Sequence, residues 1–215
     1  MKYKACLFDL DGVLVDTAIY HFKAWQQLGL HFGYQLTEEQ NEQLKGVSRV
    51  ESLERILQWA GKTACQDDKN KWLVEKNENY LKLISHMNPS EILPGVSEFL
   101  KAIKEKGYLI ALGSASKNAQ IILDKTGLSQ WFDAIIDGNS VQKSKPDPEV
   151  FLKGAEALGV SPEECIVFED AQAGIEAAKK GGMKTIGIGE ESVLRDADKV
   201  IPSFLSISVE NLLNL

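Results

Sequence analysis

The chain has 215 residues with 24 basic and 31 acidic side chains, a formal net charge of −7, 44% hydrophobic residues and 26% charged ones. That length suits one large domain or one and a half. The composition is that of a globular protein with a sizeable core, which excludes intrinsic disorder, collagen and a disulfide scaffold. The acidic balance argues against nucleic-acid and anionic-membrane partners, both of which call for a basic face.

Tyr3 to Phe8 is a short apolar run that stops abruptly at Asp9-Leu10-Asp11-Gly12. A buried strand ending in polar residues and glycine is the βα junction of a parallel sheet. Asp9 interrupts the run too early for a signal peptide. No apolar stretch approaches the roughly 20 residues of a membrane span. Cys6, Cys65 and Cys165 lie far apart with no CxxC pairing, which fits reduced thiols. A cytoplasmic, membrane-free protein is expected.

Residues 17–88 show helical periodicity only. Ala18, Phe22, Trp25 and Phe32 come first, then Val50, Leu53, Leu57 and Ala60, then Leu73, Tyr80, Ile84 and Met87. Thr37–Gln40 and Ser48–Glu51 each have capping-box spacing. Trp25, Trp59, Trp72 and Trp131 read as packing residues. This stretch is expected to be a helical-bundle cap inserted after the first strand, with the chain returning near Asn88–Gly95, where Pro89 and Pro94 punctuate it.

Beyond it, strand candidates at Leu109–Leu112, Ala134–Ile136, Ile166–Phe168 and Thr185–Ile188 alternate with helical patterns. Val96, Phe99, Leu100 and Ile103 mark one helix, ended by Gly107. Others run from Ser116 to Gly127, over 147–158 and over 171–180. Strands alternating with helices predict a doubly wound, Rossmann-like parallel α/β sheet, built from residues 1–16 and 89–215.

Asp9 and Asp11, spaced i, i+2, point to one side of an extended chain at the carboxyl end of the first strand, where open α/β sheets bind ligands. A lone pair of that kind is no more than two solvated turn residues. Glu169-Asp170, however, directly follows Ile166–Phe168 at another strand end. Four carboxylates in one crevice repel, and a hard divalent cation with all-oxygen ligation, Mg²⁺, resolves this. Ser114 sits after the Leu109–Leu112 strand and before a helix start, as an anion site requires. Lys145 offers one fixed positive charge. Carboxylate, cation, hydroxyl and lysine together imply phosphoryl transfer, with one aspartate as nucleophile and its neighbour as general acid and base.

Asp9-Leu10-Asp11-Gly12-Val13, Ser114, Lys145-Pro146 and Glu169-Asp170 resemble, in order, the four motifs of the haloacid dehalogenase superfamily, and the helical insert resembles its C1 cap. The resemblance implies Asp9 as nucleophile and Asp11 as general acid/base. It further implies one Mg²⁺ held by Asp9, the Asp11 backbone carbonyl and Asp170, with Glu169 at or beside the metal. Ala171 stands where a serine often follows Glu-Asp.

Features of the insert are similar to one branch of that superfamily, the β-phosphoglucomutases. Thr17, His21, the loop Lys45, Gly46, Val47, Ser48 and Arg49, Lys76, and the run Ala115, Ser116, Lys117 and Asn118 fall where that branch contacts substrate. Trp25 is counted with them. The branch implies interconversion of β-D-glucose 1-phosphate and glucose 6-phosphate through β-glucose 1,6-bisphosphate. It places His21 beside Asp11, Thr17 at the cap hinge, and Arg49 on the distal phosphate. Lys76 either snorkels to water or faces ligand oxygens. The rival is a sugar-phosphate phosphatase with the same core. A non-catalytic sensor would need neither nucleophile nor acid/base, and neither Lys45 nor Lys76 has a context that demands a Schiff base. A monomer acting on a small phosphosugar is expected. Setting the four clustered acids aside leaves 27 acids against 24 bases, so the negative charge does not oppose an anionic substrate.

Overall fold

Six short β-branched and aliphatic segments form one parallel sheet: β1 (Ala5–Phe8), β2 (Leu109–Gly113), β3 (Ala134–Ile136), β4 (Cys165–Glu169), β5 (Lys184–Ile188) and β6 (Lys199–Ile201). The computed structural model describes residues 2–44 and 47–212. Strand order is β3-β2-β1-β4-β5-β6, the doubly wound arrangement. The five expected strands are present. The sixth, β6, pairs with β5 at the sheet edge and is too short, behind the polar Asp196-Ala197-Asp198, to stand out as an apolar run.

Helices α1 (Ala18–His31), α2 (Glu38–Glu42), α3 (Arg49–Trp59) and α4 (Gln66–Ile84) fill the insert. The rest are α5 (Val96–Glu105), α6 (Ala119–Thr126), α7 (Glu149–Leu158), α8 (Gln172–Lys180) and the short α9 (Val209–Leu212). Contacts within the chain separate it into Met1–Asp16 with Asn88–Leu215, and Thr17–Met87.

In the sheet unit, strand alternation sorts the core onto two faces. Leu7, Ala111 and Val167 pack with Val150, Phe151 and Ala155 of α7 and with Ala177 and Ala178 of α8. Phe8 and Phe168 point the other way, stacked at 4.6 Å, and meet Phe99 of α5 and Phe204. Val96, Phe99, Leu100 and Ile103 are all buried, as their spacing requires. The helical unit has its own core of Trp25, Leu28, Leu36, Leu53, Ile56 and Leu57, against which Trp59 and Trp72 pack. Thr37 and Gln40 form a reciprocal capping box at α2. Ser48 caps α3 by accepting the Glu51 N–H, while the Glu51 carboxylate pairs with Arg55 one turn on.

The cysteines are free thiols, with Cys6 and Cys165 buried. Among the described residues, no helix is long and apolar enough to cross a membrane.

Candidate active site

The winding of the sheet reverses at β1 and β4, and the register sets Phe8 against Phe168. The next residues, Asp9 and Glu169, are therefore level at the carboxyl edge, at the switch point where doubly wound sheets bind ligands. Asp9 is 6% exposed and Glu169 fully buried. Lys145 bridges them, its Nζ donating to Asp9 Oδ1 at 2.5 Å and to Glu169 Oε2 at 2.8 Å. Burial alone would lower the lysine's pKa, but the Asp9 and Glu169 carboxylates outweigh it and hold Lys145 above its ordinary value. Glu169 is pushed up to about 7, first by burial and further by Asp9, with Lys145 and the Ala171 N–H pulling against both. A single positive charge thus holds two carboxylates that would otherwise repel.

Two glycines give these carboxylates their seats. Gly174 on α8 lies so close to Glu169 that a Cβ there would stand 2.0 Å from Glu169 Oε2. Gly12 has φ +80°, and a Cβ on it would stand 2.1 Å from Asp170 Oδ2. The backbone therefore comes directly under each side chain, which only glycine permits. Neither was singled out in the sequence as a site residue, although each sits close to a motif carboxylate.

Carboxylate oxygens of Asp9, Glu169 and Asp170 lie within 4.8 Å of one another. An all-oxygen set of this charge, part buried and part half-exposed, fits Mg²⁺. The Asp11 carboxylate is not in this cluster, and its expected contribution is the backbone carbonyl.

Ser114 follows β2 and is buried; its Oγ accepts the Ser116 N–H, and Ser116 Oγ accepts the Asn118 N–H. These two side-chain turns delay the helix, so α6 starts at Ala119 and not near Ser116, as the apolar spacing suggested. Ala115, Ser116, Lys117 and Asn118 are thus a loop, which is tied from behind. Gly138 N–H donates to Ser116 O at 3.1 Å and Asn139 Nδ2 to Lys117 O at 2.9 Å.

In the helical unit, Thr17 is buried at the N-terminus of α1, with its carbonyl accepting the Tyr20 and His21 N–H groups. Lys76 is 2% exposed, so it does not snorkel to water. Its Nζ stands 4.8 Å from the Trp25 ring centre and 4.6 Å from that of Tyr80, and 2.8 Å from His21 Nδ1. Tyr80 also stacks on His21 at 4.1 Å. Trp25 is a core residue whose ring faces this cation. Burial first, then the Lys76 and Arg49 charges, holds His21 well below the usual histidine range. Arg49 opens α3 half-buried, and that burial lowers its pKa too. Val47 and Ser48 precede it, the Ser48 hydroxyl being occupied as the helix cap. Lys45 and Gly46 lie outside the described residues. Tyr80, expected only as a packing residue, belongs with this group.

Residues 3–182 match the family model described as haloacid dehalogenase-like hydrolase. The chain is 40% identical to a β-phosphoglucomutase of Bacillus subtilis over 96% of its own length and 92% of that protein's. It is 32% identical to a phosphorylated carbohydrates phosphatase of Thermotoga maritima, over 85% of this chain and 83% of that one. A crystal structure of β-phosphoglucomutase from Clostridium difficile superimposes with a TM-score of 0.95 at 40% identity, covering 99% of this chain and 96% of that one.

Proposed function

Because the chain belongs to the haloacid dehalogenase-like hydrolase family, we propose that it works as a β-phosphoglucomutase, interconverting β-D-glucose 1-phosphate and glucose 6-phosphate. The observation that carries this reading is near full-length likeness to mutases in sequence and backbone, joined to a buried Asp9–Lys145–Glu169 cluster at the sheet's switch point.

In this reading Asp9 is the nucleophile. Its buried carboxylate faces the lysine that neutralises it, so a phosphoryl group is taken and given back on one oxygen while Lys145 holds charge balance. Asp11, two residues on, gives and takes the proton of the sugar hydroxyl. Ser114 and the loop to Asn118 receive the phosphoryl oxygens with a hydroxyl and N–H groups. Asp9, Asp170 and the Asp11 carbonyl, with Glu169, would hold Mg²⁺, which when bound offsets the charge of the phosphoryl oxygens. Arg49 and its loop are assigned to the second phosphate of β-glucose 1,6-bisphosphate, with Thr17, His21, Trp25 and Lys76 on the sugar side.

The phosphatase reading shares every core residue and differs only in the acceptor. Purified protein with Mg²⁺, β-glucose 1-phosphate and a trace of the 1,6-bisphosphate distinguishes the two. Glucose 6-phosphate is expected without matching inorganic phosphate. Stoichiometric phosphate release would sink the mutase in favour of the phosphatase.

A further inference from the structure

Lys145 sits in a loop, and a buried ammonium that must meet two carboxylates at once needs that loop fixed. Beside the Asp147 N–H on Ser144 O and Lys180 Nζ on Pro146 O, the group that ties its N-terminal side is Glu149, the first residue of α7. Its Oε2 accepts the backbone N–H of Gln142 at 3.0 Å and of Lys143 at 2.8 Å, two residues before Lys145. Its Oε1 pairs with Lys153 Nζ at 2.8 Å, one turn along α7. Lys153 in turn donates to Ser140 O at 2.7 Å. Ser140 belongs to the 137–140 loop, whose Gly138 and Asn139 hold the carbonyls of Ser116 and Lys117. One carboxylate thus ties the segment bearing Lys145 directly, while Lys153 links it only to the Ser140 carbonyl. The Lys153 partner and the two N–H groups hold Glu149 below its ordinary pKa, so it stays an anion throughout the neutral range.

We propose that Glu149 is a positioning residue for phosphoryl transfer: its carboxylate fixes the loop that delivers Lys145 to Asp9 and Glu169, and it touches no substrate itself. This rests on the assignment of Asp9 and Lys145 above, and it holds for either acceptor, sugar or water. A bland alternative is an anion that merely stabilises the start of α7. That alternative changes folding stability and leaves the chemistry of folded enzyme alone.

The test is a double-mutant cycle on kcat with thermal melting as a control. Glu149→Ala is expected to lower kcat by about 10²-fold, the scale of a misplaced catalytic group, at substrate concentrations that saturate the folded enzyme. Placed on a Lys145→Ala background, the same change is expected to cost no more than about twofold, because it acts through the lysine. A full repeat of the loss on that background, or a Glu149→Ala enzyme within about twofold of wild type, overturns the proposal. Glu149→Gln keeps an oxygen for the two N–H groups and is expected to recover most of the lost kcat. A folded Glu149→Gln enzyme as impaired as the alanine variant likewise overturns it. Measuring phosphate release from p-nitrophenyl phosphate alongside isomerisation separates the two questions. A wild type that fails to isomerise refutes the mutase reading, while the cycle read on phosphate release still decides the role of Glu149.

Discussion

At the scale of single residues, the strongest feature is how two buried ammonium groups are accommodated. Lys145 is shared between Asp9 and Glu169, and Lys76 is packed between Trp25 and Tyr80 with His21 against it. The second case fixes a proton. An ammonium has only donors, so His21 Nδ1 must accept, and the ring's own hydrogen is on Nε2. Burial and the two cations disfavour a second proton, so His21 is expected to be neutral, as the Nε2–H tautomer, from about pH 6 to 8. Nitrogen chemical shifts of the imidazole read this directly, and an imidazolium pattern in that range would contradict it. With Nδ1 accepting from Lys76, Nε2–H is left as the ring's donor.

At the scale of elements, short polar devices decide where helices and strands begin. Ser114 and Ser116 hold back α6, and Thr37 starts α2. Asp198 does comparable work before β6. It accepts both the N–H and the hydroxyl of buried Thr185 on β5, at 2.9 and 2.8 Å, and pairs with Lys184 at 3.1 Å. Burial alone would raise its pKa, but the Thr185 bonds and Lys184 outweigh it and leave the carboxyl below its ordinary value. A carboxyl depressed on folding stabilises above its unfolded pKa, near 3.9, and that stability is lost as pH falls through the lower folded value. Asp198→Ala is therefore expected to lower the melting temperature by about 2–6 °C at pH 7. The gap from wild type should close as the melting pH is taken from about 4 downward. A gap that is constant with pH would remove the carboxylate's charge from the account.

At the scale of the whole molecule, the proposed function assigns phosphoryl transfer to Asp9 of the sheet unit and the second phosphate to Arg49 of the helical unit. Phosphoryl transfer at Asp9 needs only the sheet unit's residues, whereas a sugar with two phosphates needs a second cation. Arg49→Ala should then cut isomerisation by about 10–100-fold, the worth of a charge-assisted contact of about 1.5–3 kcal/mol. Hydrolysis of p-nitrophenyl phosphate by the same variant should change little. Equal losses in both reactions would argue against a second-phosphate role.

What the amino-acid sequence determined by itself is the order of elements and the chemistry at strand ends. An apolar run that breaks at Asp9, Ser114 or Glu169 is a local signal, because burial and its end are both written along the chain. The helical insert was legible for the same reason, through spacings that repeat every three to four residues. The tertiary structure alone decided which groups meet across long separations. Lys145 and Asp9 are 136 residues apart: the motifs group them in one site, but the direct 2.5 Å contact is set by the β1–β4 register, which levels Asp9 with Glu169, and by the loop that carries Lys145. The seats at Gly12 and Gly174, the edge strand β6 and the burial of Lys76 are likewise products of packing. Residue type sets what a group can do, but only the fold sets its distance from its partner and the dielectric between them, and electrostatic strength depends on both.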